Sequence, residues 1–428
     1  MSGHPENLAV MGAQPSSVGG FGPVGDEVEK RCSPDSSLPR PAMDAKTLTS
    51  PADQGATFVE LFFDLVFVFA ITQVTHYAAH HLDPHGLVRA GVVFWLIWWG
   101  WTQFTWSLNA ANTDHHHVRA GTLVATGVAF VMAASVERAY AAEAVPAFTF
   151  ALSYIAVRIL GLSLYYRVAS EDEAQRSDVT EFAVLSVGGL VAVLVGAAVD
   201  PSMREWIWGG AILLDLFAAG RAGNRSHWGL HAGHFAERHG LIIIIALGES
   251  LIVAGSALTG EVDNALMVTG ALAVVVTCLL WWTYFGWVQR VLEERLEERE
   301  GRARSQLGRD AYSVLHFPLV SGIIALAVGF EAAFHPGDYS QRQMEAAVTI
   351  GLALFLVSTA GALWRAERCI LWPRLIVLAL TIGAVALGLF PTPVSLLTGA
   401  AVALALIVII EQVTVKPELA EHQKGAAH

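Results

Sequence analysis

The stretch VELFFDLVFVFAITQ, residues 59–73, decides the fold class of this chain. It is almost wholly apolar, yet it carries two carboxylates, Glu60 and Asp64, one helical turn apart. The apolar run continues to residue 80, which is long enough for a helix to cross the roughly 30 Å hydrocarbon core of a bilayer. Because a charged group in hydrocarbon costs a few kcal/mol even on lenient scales, the two acids predict a polar interior within a membrane bundle.

The composition of the whole chain favours the same class. Of 428 residues, 54% are hydrophobic and 15% charged, and the mean hydropathy is +0.50, which is too apolar for a soluble protein of this length. The net charge of -12 says little about partners, because most carboxylates lie in the tail and the polar loops, and nucleic-acid binding is not expected. The cysteines are odd in number and widely spaced, so they indicate no disulfide framework and no thiolate metal site, and no cofactor is predicted: Cys32, Cys278 and Cys369.

Apolar runs long enough to span a bilayer occur about twelve times, which predicts an all-α polytopic membrane protein. The predicted spans are residues 58–80, 87–108, 120–140, 146–166, 179–199, 205–220, 239–259, 266–288, 313–333, 344–364, 372–390 and 394–411.

Lys and Arg resist translocation, so their distribution predicts the orientation of the spans. With the N-terminus inside, 21 of the 26 Lys and Arg residues fall in cytoplasmic segments, four fall outside, and Arg158 lies within a span. We therefore expect a bacterial inner-membrane protein whose N- and C-termini are both cytoplasmic.

Changes in composition divide the chain into five predicted segments. They are a disordered cytoplasmic tail, a first six-helix half, a cytoplasmic connector that contains histidines, a second six-helix half and a second cytoplasmic tail: residues 1–57, 58–220, 221–238, 239–411 and 412–428.

The two halves have features that favour an internal repeat. The second span of each half is rich in aromatic residues, Asp64 aligns with Glu249, and Glu137 aligns with Glu331. Six helices per half preserve the orientation, so a repeat would place a pseudo-two-fold axis along the membrane normal. The repeat remains a hypothesis at this stage because apolar segments also align by chance.

Polar residues inside the predicted spans are the main candidates for function. They are Glu60, Asp64, Arg158, Asp215, Glu249 and His316. Intramembrane acids commonly mark ion or substrate pathways, so we expect the four acids and Arg158 to line one. The alternative is structural: Arg158 neutralises Asp215, Asp64 or Glu249 in an ion pair that fixes the helix register.

A second group of candidates lies at the predicted cytoplasmic face. This polar cluster comprises Asp114, His115, His231, His234, Glu237, Arg238, His239 and His316. His231, His234 and Glu237 are weak candidates for metal ligands, because their spacing places them loosely on one helical face but matches no strong zinc signature. The alternative is an interfacial segment that docks the seventh span.

Two long motifs resemble a known family. VELFFDLVFVFAITQ (59–73) with the Trp-rich span after it, and HFAERHGLIIIIALGES (234–250), resemble the bacterial low temperature requirement A (LtrA) family over about residues 57–411. The resemblance implies a multi-pass membrane protein associated with growth at low temperature, with no established activity. The first motif is also similar to the FSDAVFAIAIT helix of a potassium-channel family, but Phe63 replaces its Ser, and Glu249 stands where the second half would carry Asp.

Three functions remain open from the sequence. The first is a transporter or ion-conducting protein that uses the intramembrane acids, for an unidentified ion or small solute. The second is a membrane-embedded enzyme that uses the His-rich cluster, and the third is a non-catalytic scaffold or sensor. The expected partners are the lipid bilayer and that solute, without nucleic acid, and the sequence leaves the oligomeric state open.

Overall fold

Twelve long helices, each of 15 residues or more, account for most of the protein. The structure, a computed structural model, describes residues 48–51, 54–225, 227–259 and 263–426. The long helices are α1 (Phe58–His80), α2 (Pro84–Ala110), α3 (His116–Ala134), α4 (Ala144–Val168), α5 (Glu173–Ala198), α6 (Pro201–Ala222), α7 (Ala232–Ala257), α8 (Asn264–Phe285), α11 (His316–Phe334), α12 (Gln341–Glu367), α13 (Trp372–Ala386) and α14 (Pro393–Ala426). Between α8 and α11 lie α9 (Val288–Glu297), α10 (Gly301–Leu307) and a π-helix (Gly308–Val314).

Each predicted span corresponds to one long helix, so the all-α polytopic class is confirmed. Within the described ranges, nine spans are long and apolar enough to cross a membrane by length and composition. The other three long helices are α2, α6 and α13. Tryptophans and polar side chains lower the hydropathy of α2, α6 carries Arg204, Glu205 and Asp215, and α13 has 15 residues, which span only about 22 Å.

The inward face of α1 matches the prediction. Glu60, Asp64, Phe67 and Ile71 are buried, whereas Phe62 and its lipid-facing neighbours are exposed. A lipid-facing apolar surface opposite a buried polar stripe is the arrangement that hydrocarbon favours.

The helices of the two halves share one packing order. The first helix of each half packs on the second and third, the third on the fourth, the fourth on the fifth, and the fifth on the sixth. In each half the second helix also packs on the sixth and, through α9 in the second half, on the fourth. This correspondence supports the predicted repeat, although all these helices belong to one compact unit.

The helices α1 and α7 begin at the same end of the bundle, which we call the proximal end. Residues 48–51 and 54–57 are fixed there by hydrogen bonds. The Ser50 amide donates to the Ala110 carbonyl at 2.9 Å, and the Ala56 amide donates to the Glu237 carboxylate at 2.9 Å. The prediction of a disordered tail up to residue 57 was therefore wrong for these residues, because backbone bonds tie them to α2 and α7. The rest of that tail lies outside the described residues.

The predicted connector, residues 221–238, also needs correction. The helix α7 begins at Ala232 and not at residue 239, so His234, Glu237 and Arg238 lie on its first two turns. The burial of His234 and Arg238 against α1 explains the difference: these two side chains find partners inside the protein, so the helix does not need to end where the apolar run ends. At the other terminus, α14 continues beyond residue 411 to Ala426.

Candidate functional site

The centre of the site is a buried ion pair between α1 and α7. Arg238 binds Asp64 in a bidentate manner, with Nη2 at 2.6 Å from Oδ1 and Nε at 3.1 Å from Oδ2. The indole N–H of Trp101 on α2 donates to the same Oδ1 at 2.8 Å. Paired N–H groups of a guanidinium match a carboxylate closely, so this contact fixes both helices in register.

Glu60 extends this centre toward the proximal end. Its carboxylate accepts from Arg238 Nη1 at 2.7 Å and lies 3.0 Å from His234 Nε2. It also accepts from the amide and hydroxyl of Thr57, the N-cap residue of α1, at 2.9 Å. One side chain therefore closes the first turn of α1 and holds two residues of α7.

The charges of this centre do not balance. Two carboxylates, Glu60 and Asp64, share the single guanidinium of Arg238, and their side chains are at most 1% exposed. A buried group with one excess negative charge is costly, so a further positive charge or a proton is favoured there. His234, also 1% exposed and in contact with Glu60, is the nearest base that can carry that proton.

An acid-lined cavity of about 720 Å³, the vestibule, reaches this centre from the proximal end. Its polar walls include His231, His234, Glu237, Glu293, Glu297 and Arg304. Burial and the charges of the nearby His234 and Arg304 lower the pKa of His231. Because three carboxylates face one arginine, the electrostatic potential of the vestibule favours cations over anions.

Glu249 lies apart from this centre, in the half of α7 farther from Arg238. Eleven residues separate the two along the helix, which is about 16 Å. Its carboxylate is buried and accepts from the Thr72 hydroxyl of α1 at 2.6 Å. The described contacts of this acid include no arginine or lysine, so α1 and α7 enclose a second acidic position along one interface, which we call the α1/α7 seam.

Arg158 and Asp215 form a separate cluster between α4 and α6. Arg158 Nη1 lies 3.1 Å from Asp215, and the Tyr154 hydroxyl contacts both, at 2.5 Å and 3.2 Å. Gln103 of α2 also accepts from the guanidinium. Of the three pairings that the sequence left open for Arg158, the structure has the one with Asp215.

A further buried pair was missed from the sequence. Arg374 on α13 binds Glu411 on α14 at 2.6 Å, and Trp287 donates to the same carboxylate at 2.9 Å. Arg374 was counted among the cytoplasmic charges because it lies at the edge of a predicted span. The available signal was that Arg374 and Glu411, of opposite charge, lie at the adjoining ends of the last two short predicted spans.

His239 and His316 meet in the bundle interior, with ring centroids 5.4 Å apart. His316 Nδ1 donates to the Ala311 carbonyl at 2.8 Å, so its Nε2 accepts from the Tyr284 hydroxyl at 2.8 Å. His239 Nδ1 donates to the Phe235 carbonyl, which leaves its buried Nε2 without a partner among the described residues. Because a carbonyl oxygen only accepts, Nδ1 carries a proton in both rings, and Nε2 is the acceptor of the neutral imidazole.

The remaining members of the predicted polar cluster stay within their own loop. Asp114 pairs with Arg119, and the His115 ring accepts from the His117 amide ahead of α3. No three His, Cys, Asp or Glu side chains of the described ranges come together in a way that could hold a metal ion. The weak metal candidates instead line the vestibule, where His234 contacts Glu60 and Glu237 contacts Ala56: His231, His234 and Glu237.

Comparison with known proteins agrees with the resemblance of the two motifs. The family model for the bacterial low temperature requirement A protein (LtrA) matches residues 55–410. An uncharacterized protein of Rhizobium meliloti (strain 1021) is 27% identical over 322 residues, which are 72% of this chain and 76% of the relative. No solved structure matches, and nothing supports the one-helix similarity to potassium channels. The chain belongs to the bacterial low temperature requirement A family and is an integral membrane protein.

Proposed function

We propose that this protein is a transporter or ion-conducting protein in which a proton or small cation moves along the α1/α7 seam. We also propose that it lies in the bacterial inner membrane with the proximal end and both termini in the cytoplasm, as the excess of Lys and Arg in the proximal segments indicates.

The unbalanced charge of the seam supports this function. Glu60, Asp64 and Glu249 lie between α1 and α7, and Arg238 is the guanidinium that faces two of them. A purely structural pair would need one acid per arginine, and the bundle meets that requirement with Arg158 and Asp215. Because excess buried charge destabilises the bundle, the seam has a standing affinity for protons or cations.

The contacts suggest an order of events. A proton attracted into the vestibule reaches His234 and passes to Glu60, 3.0 Å away. Neutral Glu60 no longer holds Arg238, which then forms an ion pair with Asp64 alone. Protonation of Asp64 in turn releases the guanidinium from its second carboxylate, and the loss of this pair lets α1 and α7 move apart and opens the path toward Glu249.

Arg158 and Asp215 have a different part in this proposal. Their charges balance, and Tyr154 and Gln103 add contacts to Nη1 and Nε of Arg158, whereas its buried Nη2 has no partner among the described residues. We assign this cluster to fixing α4 against α6 and α2, so that α1 and α7 can move against a rigid frame.

Flux through the purified protein in liposomes tests the proposal. Wild type is expected to dissipate an imposed proton or K⁺ gradient, and Asp64→Asn and Glu249→Gln to slow this flux by about tenfold or more, the factor that corresponds to about 1.4 kcal/mol. Glu143→Gln is the matched control, because Glu143 is exposed at the end of the bundle opposite the proximal end and its pair with Arg138 spans 3.6 Å. Wild-type liposomes that pass no proton, K⁺ or Na⁺, or two seam variants that behave like the control, would exclude the seam as a pathway and favour the scaffold.

A further inference from the structure

One short sequence motif occurs in both halves, at the second span of each. Its two copies are WWGWTQ, residues 98–103, and YFGWVQ, residues 284–289, which share a Gly-Trp pair and the Gln two positions later. The shift between them is 186 residues, close to the 185 residues between Asp64 and Glu249. The two Gly-Trp pairs therefore occupy corresponding places in the two six-helix halves.

The two tryptophans make the same contacts. The Trp101 indole donates to Asp64 Oδ1, which also accepts from Arg238 Nη2, while Arg238 Nε donates to Oδ2. The Trp287 indole donates to Glu411 Oε2, which also accepts from Arg374 Nη2, while Arg374 Nε donates to Oε1.

The arginines also stand in the same place relative to the rings. The Arg238 guanidinium carbon lies 5.9 Å from the Trp101 ring centroid, and the Arg374 carbon lies 5.8 Å from the Trp287 centroid. A guanidinium at this distance gains a cation–π attraction beside its ion pair. Each tryptophan thus binds both members of an ion pair.

The two centres differ in charge. In the first, Nη1 of the arginine donates to a second carboxylate, Glu60. In the second, Nη1 of Arg374 donates to the Thr359 hydroxyl, and Nη2 also reaches the Thr283 carbonyl at 3.0 Å. The second centre is therefore neutral, with one acid and one base, whereas the first has an acid in excess.

Buried polar rings connect the two centres. The His239 ring lies 5.0 Å from the Trp101 ring and 5.1 Å from the Tyr312 ring, which stacks on His316 at 5.1 Å. His316 accepts from Tyr284, and Tyr284 follows Thr283, the residue whose carbonyl binds Arg374.

Between His239 and Tyr312 this series of rings lacks a hydrogen bond. His239 Nε2 and the Tyr312 hydroxyl are both buried without a partner among the described residues, one an acceptor and the other a donor. An unpaired buried polar group costs about 1–3 kcal/mol, so a rotation that brought the Tyr312 hydroxyl within hydrogen-bond distance of His239 Nε2 would satisfy both groups.

We propose that Trp287, Glu411 and Arg374 form a second control centre of the transport pathway, coupled to Asp64, Arg238 and Trp101 through His239, Tyr312, His316 and Tyr284. The inference rests on the proposed function and names the regulation of the same pathway. When the first centre releases Arg238, the neighbouring His239 turns toward Tyr312, and the change reaches Arg374 through His316 and Tyr284.

Indole signals in ¹⁵N-tryptophan NMR of the nanodisc-embedded protein test the coupling without any flux. Asp64→Asn is expected to shift the Trp287 indole resonance, and the shift is expected to vanish in the Tyr284→Phe background, which removes only the hydroxyl that contacts His316. Trp101→Phe is a second perturbation of the same centre if Asp64→Asn does not fold. Trp206, 71% exposed on α6, is the control whose resonance stays in place.

Ion flux through the protein in liposomes is the second measurement. Trp287→Phe is expected to lower flux about as much as Trp101→Phe, by roughly fivefold, the factor for one lost hydrogen bond of about 1 kcal/mol. An unmoved Trp287 resonance in both first-centre variants overturns the coupling, whatever the flux. A moved resonance that persists in Tyr284→Phe overturns the route through the rings. A wild type without flux but with the expected NMR shifts refutes the proposed function and leaves the coupling standing.

Discussion

Replacing Arg238 with methionine is the most direct test of the first centre. Methionine keeps the volume of the aliphatic stem and removes the charge, so Glu60 and Asp64 lose their shared partner. The lost contacts are three charge-assisted hydrogen bonds of 2.6, 2.7 and 3.1 Å. Because removal of one partner from a buried pair typically costs about 3–5 kcal/mol, we expect the free energy of unfolding to fall by that amount.

Two further variants divide this cost. Arg238→Lys keeps the charge but cannot make the bidentate contact, so we expect a loss of about 2 kcal/mol, the value of one hydrogen bond to a charged group. The triple variant Glu60→Gln, Asp64→Asn, Arg238→Met contains no buried charge at this place. We expect it to recover most of the stability, to within about 1–2 kcal/mol of wild type, because buried pairs are often replaceable as a unit.

Intrinsic tryptophan fluorescence can follow unfolding in mixed micelles, since the chain has 13 tryptophans. Arg119→Met is the control, because the side chains of its pair with Asp114 are 53% and 34% exposed and the pair should contribute less than about 1 kcal/mol. The reasoning fails if Arg238→Met costs no more than Arg119→Met, or if the triple variant is no more stable than the single one.

Three further predictions follow from other parts of the bundle. Gly351→Ala should lower the free energy of unfolding by about 1–3 kcal/mol, because a Cβ there would lie 2.8 Å from the Gly322 carbonyl oxygen. Gly127→Ala places its Cβ in open space, so it should be neutral or stabilise by up to about 1 kcal/mol. Thermal unfolding of the two variants distinguishes these outcomes. Arg204 donates to four backbone carbonyls at 2.7–3.2 Å, so Arg204→Met should lower the free energy of unfolding by about 3 kcal/mol, and a change no larger than that of an exposed arginine would contradict this assignment. The lowered pKa of His231 means that the folded state binds a proton less readily than the unfolded state, so stability falls as the pH drops below about 6.5. Between pH 7.5 and 5.5 the unfolding midpoint should fall less in His231→Asn than in wild type. Equal dependence of the two midpoints on pH would refute the assignment.

The sequence predicted the helices well and their partners poorly. Each apolar run became a helix, and the buried face of α1 was identified from the spacing of Glu60 and Asp64. The connector was misjudged because the criterion was hydropathy: charged residues near His234 marked the end of an apolar run, although the helix continues through them. The repeat hypothesis identified Asp64 and Glu249 but missed the Gly-Trp pairs, because apolar similarity hid a short motif of specific residues.

The sequence alone determined that this is an all-α polytopic membrane protein with about twelve long helices. Hydrocarbon offers the backbone no hydrogen-bond partners, so an apolar run of sufficient length has to be a helix wherever it lies. Only the tertiary structure decided that Arg238 holds Glu60 and Asp64, that Arg158 holds Asp215, and that Glu249 has Thr72 as its neighbour. Which buried charges meet depends on how each helix is rotated and tilted against the next, and that follows from packing across the whole bundle, which no local pattern encodes.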